Sequence, residues 1–173
     1  MHKDYTELYK NTIDKQYAFH EEYQKQSNTF TDYTMLYCDK KKIIQHMKDS
    51  MNISPITISP KQVISKYYTF LQKLYYFLEM EYKENNKDII SVKNTLTITF
   101  EQKNKEYGNA FDNFGWIGVY IRLCDKIYRL LTLTSRKDQA IKYESINDTY
   151  LDALNYILLC MMLLEIPIEN NIR

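Results

Sequence analysis

Turn-forming residues are scarce in this chain. Its 173 residues include 3 glycines, 3 prolines and 3 cysteines. Glycine and proline are the usual residues of tight turns, so folds with many turns, such as Rossmann folds and β-sandwiches, are disfavoured. Long helices are the easier solution. The cysteines, Cys38, Cys124 and Cys160, are odd in number and widely spaced, with no CxxC or Cys/His cluster. That argues against a zinc site and fits a reducing compartment. An excess of either charge is also missing: 23 Lys+Arg face 22 Asp+Glu, a net charge of +1. A protein gripping duplex nucleic acid by charge alone is far more basic, so strong duplex binding is not expected. No long hydrophobic run occurs. The greasiest stretch, Tyr156 to Leu164, is bounded by Asp152 and Glu165. A membrane span takes about 20 residues, so no membrane association is expected. The N-terminal residues lack the apolar centre of a signal peptide, and a cytoplasmic location is expected.

What is present is hydrophobic content of 45%, enough for a packed core, and 17 tyrosines. Much of the tyrosine reflects the codon usage of an AT-rich genome and carries little functional signal. Apolar spacing near 3.6 predicts an all-α helical bundle. The first helix is expected from about Asp4 to Gln26 and a second from about Thr31 to Ser50. Pro55 and Pro60 make 52–60 an extended linker, after which Ser59-Pro60 is a favourable helix start. That helix carries Val63, Ile64, Tyr67, Phe70, Leu71, Leu74, Phe77 and Leu78 on one face. Leu96-Thr-Ile-Thr-Phe100 alternates like a strand, but no partner strand is evident, so Ile89 to Tyr107 is read as a helix capped by Gly108. Two further helices are expected, over Trp116 to Thr134 and from about Ser145 to Ile166. The chain divides into an N-terminal helical region, 1–85, and a C-terminal domain, 86–173.

The C-terminal part holds the unusual residues. All three glycines, Gly108, Gly115 and Gly118, fall within eleven positions, and Arg122, Arg129 and Arg136 follow. On the last helix Glu144, Asp148, Asp152 and Asn155 lie within about 80° of one another. Carboxylates four apart repel by a few tenths of a kcal/mol per pair. A hard cation such as Mg²⁺ would relieve them, and helix-terminus electrostatics is the competing explanation for the first two. On the helix before it, Arg122, Asp125, Lys126 and Arg129 share a face. This is either a solvated surface or a row that meets phosphates. Between them, Lys105 to Gly118 mixes glycines, asparagines and aromatics. Phe111 or Trp116 could contact a nucleobase, or could simply pack a helix–helix connection.

Three blocks then resemble a known family. Glu106-Tyr-Gly-Asn-Ala-Phe-Asp-Asn-Phe-Gly-Trp, Asp125-Lys-Ile-Tyr-Arg and Glu144-Ser-Ile-Asn-Asp-Thr-Tyr-Leu-Asp look like nucleotide modification associated domain 1 of phages and bacteria, over about residues 90–165. Glu106 stands where that family usually has Asp. The acidic helices are also similar in pattern to all-α nucleoside triphosphate pyrophosphohydrolases, which hold Mg²⁺ with carboxylates from two helices. Here the ExxE pair is replaced by Glu101 and Glu106, five apart. The resemblance implies a nucleotide or modified nucleotide as ligand, in a bacterial or phage-infected cell. Glu106, Glu144, Asp148 and Asp152 would hold Mg²⁺, with Glu106 and Asp152 catalytic. Arg122, Lys126 and Arg129 would take phosphates. The leading expectation is Mg²⁺-dependent binding and hydrolysis of a phosphoanhydride. The alternatives are a non-catalytic nucleotide-binding protein and a structural helical oligomer. The apolar last helix suggests a homodimer, or a dimer of dimers, joined there.

Overall fold

The computed structural model describes residues 4–23, 60–86, 91–135 and 143–165; among these, the side chains of 60–64, 66 and 143–145 are left undescribed. The expected helix over 31–50 and the linker over 52–59 lie outside the described residues.

Five α-helices make up nearly all of the described chain. Helix α1 (Tyr5–Glu22) starts at Asp4, whose carboxylate accepts from the backbone N–H groups of Thr6 and Glu7. Helix α2 spans Pro60–Asn85 and α3 spans Val92–Tyr107. Ser91 caps α3 by accepting from the N–H of Asn94, and Gly108 ends it. The alternating Leu96–Phe100 segment is thus helical. Its apolar residues Val92, Leu96 and Phe100 are buried at intervals of four, so the helical period outweighs the β-branched threonines. A short 3₁₀ turn (Ala110–Phe114) leads into α4 (Gly115–Ser135), and α5 spans Tyr143–Glu165.

Helix α5 is the centre. From Ala153 to Leu164 every residue except Tyr156 is buried. Helix α4 lies along it, and α1, α2 and α3 also contact it. The core of this bundle draws Tyr5, Tyr9 and Ile13 from α1 and Tyr67, Leu71, Leu74 and Leu78 from α2, so the N-terminal helices and the C-terminal domain share one hydrophobic interior. A helix apolar all round must be covered all round. Here one chain supplies the cover, and the burial of α5 requires no second copy.

Polar ties fix the helices around α5. Glu165, in its last turn, accepts from Lys15 Nζ of α1 at 2.8 Å and from the Tyr68 hydroxyl of α2 at 2.5 Å. Asn86 and Asn147 exchange two amide hydrogen bonds, 2.8 and 2.6 Å, joining the end of α2 to the start of α5. The Tyr9 hydroxyl donates to Asn155 Oδ1 at 2.9 Å in the buried interior, and the Tyr9 ring stacks on Phe100 with centroids 4.1 Å apart. Among the described residues no helix is long and apolar enough to cross a membrane. Cys124 and Cys160 are buried and not joined in a disulfide, and burial pushes the Cys160 thiol up.

Candidate functional site

The three glycines have a backbone explanation. Gly108 has φ 59°, ψ −151° and Gly115 has φ 60°, ψ −164°. This region of backbone space is open essentially to glycine alone. The two residues bracket the 3₁₀ turn, one ending α3 and the other opening α4. Gly118 serves differently: a Cβ there would sit 2.6 Å from the Cβ of Phe114. In a glycine-poor chain, the cluster builds a sharp, fixed connection between two helices.

The turn is anchored to the bundle. The Tyr5 hydroxyl of α1 donates to the Asp112 carboxylate, and burial, reinforced by that carboxylate, drives the phenol's pKa upward. Phe111 packs edge-on to Tyr5, 5.1 Å between centroids, and beside Phe100. Trp116 lies against Tyr67 and Tyr120, and its carbonyl accepts from the Cys160 thiol. Both aromatics expected to meet a base are therefore engaged in packing.

Asp152 is the charged focus. It is partly buried on α5, which contacts both α3 and α4. Lys126 Nζ of α4 donates to its Oδ2 at 2.7 Å, and Lys103 Nζ of α3 approaches its Oδ1 at 3.4 Å. One carboxylate is thus drawn between two ammonium groups from two different helices. Just beyond Lys103, Asn104 carries a side-chain oxygen that is buried without a hydrogen-bond partner. Neither Lys103 nor Asn104 was a sequence candidate. Lys103 had the available signal of position, three residues before Glu106 and so on its side of the helix.

The other candidates are spread around this focus. Glu106, Asp148, Arg122, Asp125 and Arg129 are exposed. Asp148 lies near Tyr82 of α2, whose phenol is raised by burial and then by the Asp148 charge. Glu101 faces away, paired with Lys10 of α1 at 2.6 Å; the hydrogen bond and charge of Lys10 hold its carboxyl below the usual range. Asn155, one turn on from Asp152, is buried against Tyr9 and belongs to the core rather than to an acidic face. Among the described residues no three His, Cys, Asp or Glu side chains group as a metal site, and the side chain of Glu144 lies outside them.

The focus, the glycine-braced turn, α4 and nearly all of α5 coincide with a single family segment. Residues 103–164 match the family model of nucleotide modification associated domain 1. The segment opens at Lys103 and closes at Leu164, so Asp152 and both of its lysines lie inside it. No curated protein and no solved structure matches the chain. The matched segment is covered by α1 and α2, which lie outside the span yet complete its core.

Proposed function

We propose that this protein binds a nucleotide, or a modified nucleotide, over the α3–α4–α5 junction and hydrolyses a phosphoanhydride bond of it with Mg²⁺. The observation that carries the reading is Asp152 between Lys103 and Lys126, within a segment whose family is associated with nucleotide modification. Two converging ammonium groups suit a phosphate, which offers more acceptor oxygens than one carboxylate. Arg122 and Arg129, a turn to either side of Lys126, extend the cationic row along α4.

Mg²⁺ suits the donors at hand. It usually takes one or two protein carboxylates and completes its shell with water and substrate phosphates, so no all-protein cage is required. Asp152, Asp148 one turn before it, Glu144 and Glu106 are the oxygen donors that would hold it, and bound Mg²⁺ would polarise the phosphoryl group. Phosphates entering the row would draw Lys103 and Lys126 off Asp152 and free its oxygens. Glu106 or Asp152 would accept a proton from water as its oxygen bonds to phosphorus, and the bridging P–O bond would break with its electrons on the departing phosphate.

A second reading, binding without turnover, is favoured by one feature: both carboxylate oxygens of Asp152 are already engaged by lysines. The two readings separate on a direct measurement. The protein is incubated with canonical and modified nucleoside triphosphates and Mg²⁺, and phosphate, pyrophosphate and retained ligand are quantified. Metal-dependent release of product supports hydrolysis. Thermal stabilisation by nucleotide without product supports binding alone, and neither effect with any nucleotide would reject both.

A further inference from the structure

The glycine-braced turn leaves two large aromatic side chains in solvent. Tyr107, the last residue of α3, is 70% exposed, and Phe114, the last residue of the 3₁₀ turn, is 80% exposed. Each is followed at once by one of the two positive-φ glycines. The third glycine, Gly118, leaves the space beside the Phe114 Cβ. All three glycines of the chain therefore act on the placement of these two rings. Exposing a phenyl ring to water forgoes its hydrophobic stabilisation, and fixing the backbone beneath it costs further entropy. Tyr107 is also one helical turn beyond Lys103 on the same side of α3, about 6 Å along the helix axis. That is the scale of the separation between a nucleotide's phosphates and its base.

We propose that Tyr107 and Phe114 form the base-contacting surface of the candidate site, in place of Phe111 and Trp116. This inference rests on the nucleotide reading above. Phosphates lie toward Lys103 and Lys126, and the flat face of the base lies on the exposed rings at the glycine-braced turn. Aromatic stacking accepts any base, so the surface supplies affinity for a nucleobase without selecting one.

The test compares two probes on the full chain with Mg²⁺, by titration calorimetry: a panel of nucleoside triphosphates and inorganic tripolyphosphate, which has no base. Tyr107→Ala and Phe114→Ala should each weaken nucleotide binding about 5- to 100-fold and leave tripolyphosphate binding unchanged. Phe114→Tyr should retain nucleotide affinity. Gly118→Ala, which displaces Phe114, should lower nucleotide affinity and spare tripolyphosphate. Both aromatic side chains are exposed, so melting temperatures of these two alanine variants should match wild type. Unchanged nucleotide affinity, or equal loss on both probes, would overturn the proposal. So would a change in molecular mass by light scattering, which would assign the rings to a protein contact. Wild type that binds tripolyphosphate as tightly as nucleotides would overturn it while leaving the phosphate site standing. Wild type that binds neither probe would overturn the nucleotide reading itself.

Discussion

Replacing Tyr9 by phenylalanine removes one oxygen from the middle of the bundle. The Tyr9 hydroxyl is fully buried and donates to Asn155 Oδ1 at 2.9 Å, and Asn155 is itself 7% exposed. Phenylalanine keeps the ring and its stacking on Phe100, so packing is conserved and the lost term is the hydrogen bond. An amide oxygen left buried without a donor costs about 1–3 kcal/mol. For a domain of this size each kcal/mol lowers the melting temperature by roughly 2–4 °C, so a loss of about 2 kcal/mol gives a drop of roughly 4–8 °C. Asn155→Leu orphans the Tyr9 hydroxyl and should cost a similar amount. The double variant Tyr9→Phe/Asn155→Leu leaves no orphan and should sit near wild type, because replacing both partners by apolar groups is close to neutral. Urea melts and thermal scans of the four proteins complete the cycle. A Tyr9→Phe protein that melts with wild type would refute the reasoning. So would a double variant as unstable as the two singles summed, since that would make Asn155 part of something other than this pair.

Other expectations follow from the same structure. Gly108→Ala or Gly115→Ala forces a side chain into a backbone region it rarely adopts, and each should destabilise the protein by about 1–3 kcal/mol in denaturant melts; an unchanged midpoint would mean the turn is not held as described. Asp148→Asn, at an exposed position, should leave the melting temperature unchanged, whereas Asp152→Asn strands Lys126 and Lys103 and should lower it slightly at low salt; equal effects would separate Asp152 from its lysines. Lys126→Ala should weaken nucleotide binding by about 1.5–3 kcal/mol, with a smaller loss at high salt, and unchanged affinity in calorimetry would return Lys126 to a purely structural role. His20 is held below its ordinary pKa, chiefly by burial and also by the Lys83 charge, with Glu79 opposing them. The unfolded chain then takes up the proton first as pH falls, so stability is full above about 6.5 and declines below it, and His20→Gln should flatten melting temperature between pH 7.5 and 5.5. At the other end, burial raises the phenols of Tyr9 and Tyr75 and pushes Tyr150 up to about 12, so stability present below pH 10 should be lost above it. Exposed tyrosines such as Tyr107 should titrate gradually, and the absorbance of the buried ones should rise in a cooperative step as the protein unfolds; gradual titration of all the tyrosines would contradict that burial.

Helix type and approximate extent were legible in the chain because apolar spacing is a local property. The faces of α1 and α2, the Gly108 cap and the helical reading of Leu96–Phe100 all come from residues within a few turns of one another. The glycine cluster was visible as an anomaly of composition, and its cause is also local, since a backbone at φ near 60° and ψ near 180° admits little else. The family segment was legible for the same reason: its blocks are continuous stretches of sequence. What the tertiary structure alone decided is which side chains of a given face meet which neighbour. Helix α5 is apolar on all sides whether a second subunit or this chain's own helices cover it, and only the assembled bundle places α1, α2, α3 and α4 around it. Asn155 shares its helical face with Asp148 and Asp152, yet Tyr9, some 146 residues away in the chain, claims it for the core. Lys103 and Lys126 converge on Asp152 because α3 and α4 both lie against α5. Phe111 and Phe114 are three residues apart in one turn, and only the position of α1 and α3 beside that turn partly covers the first and leaves the second in water.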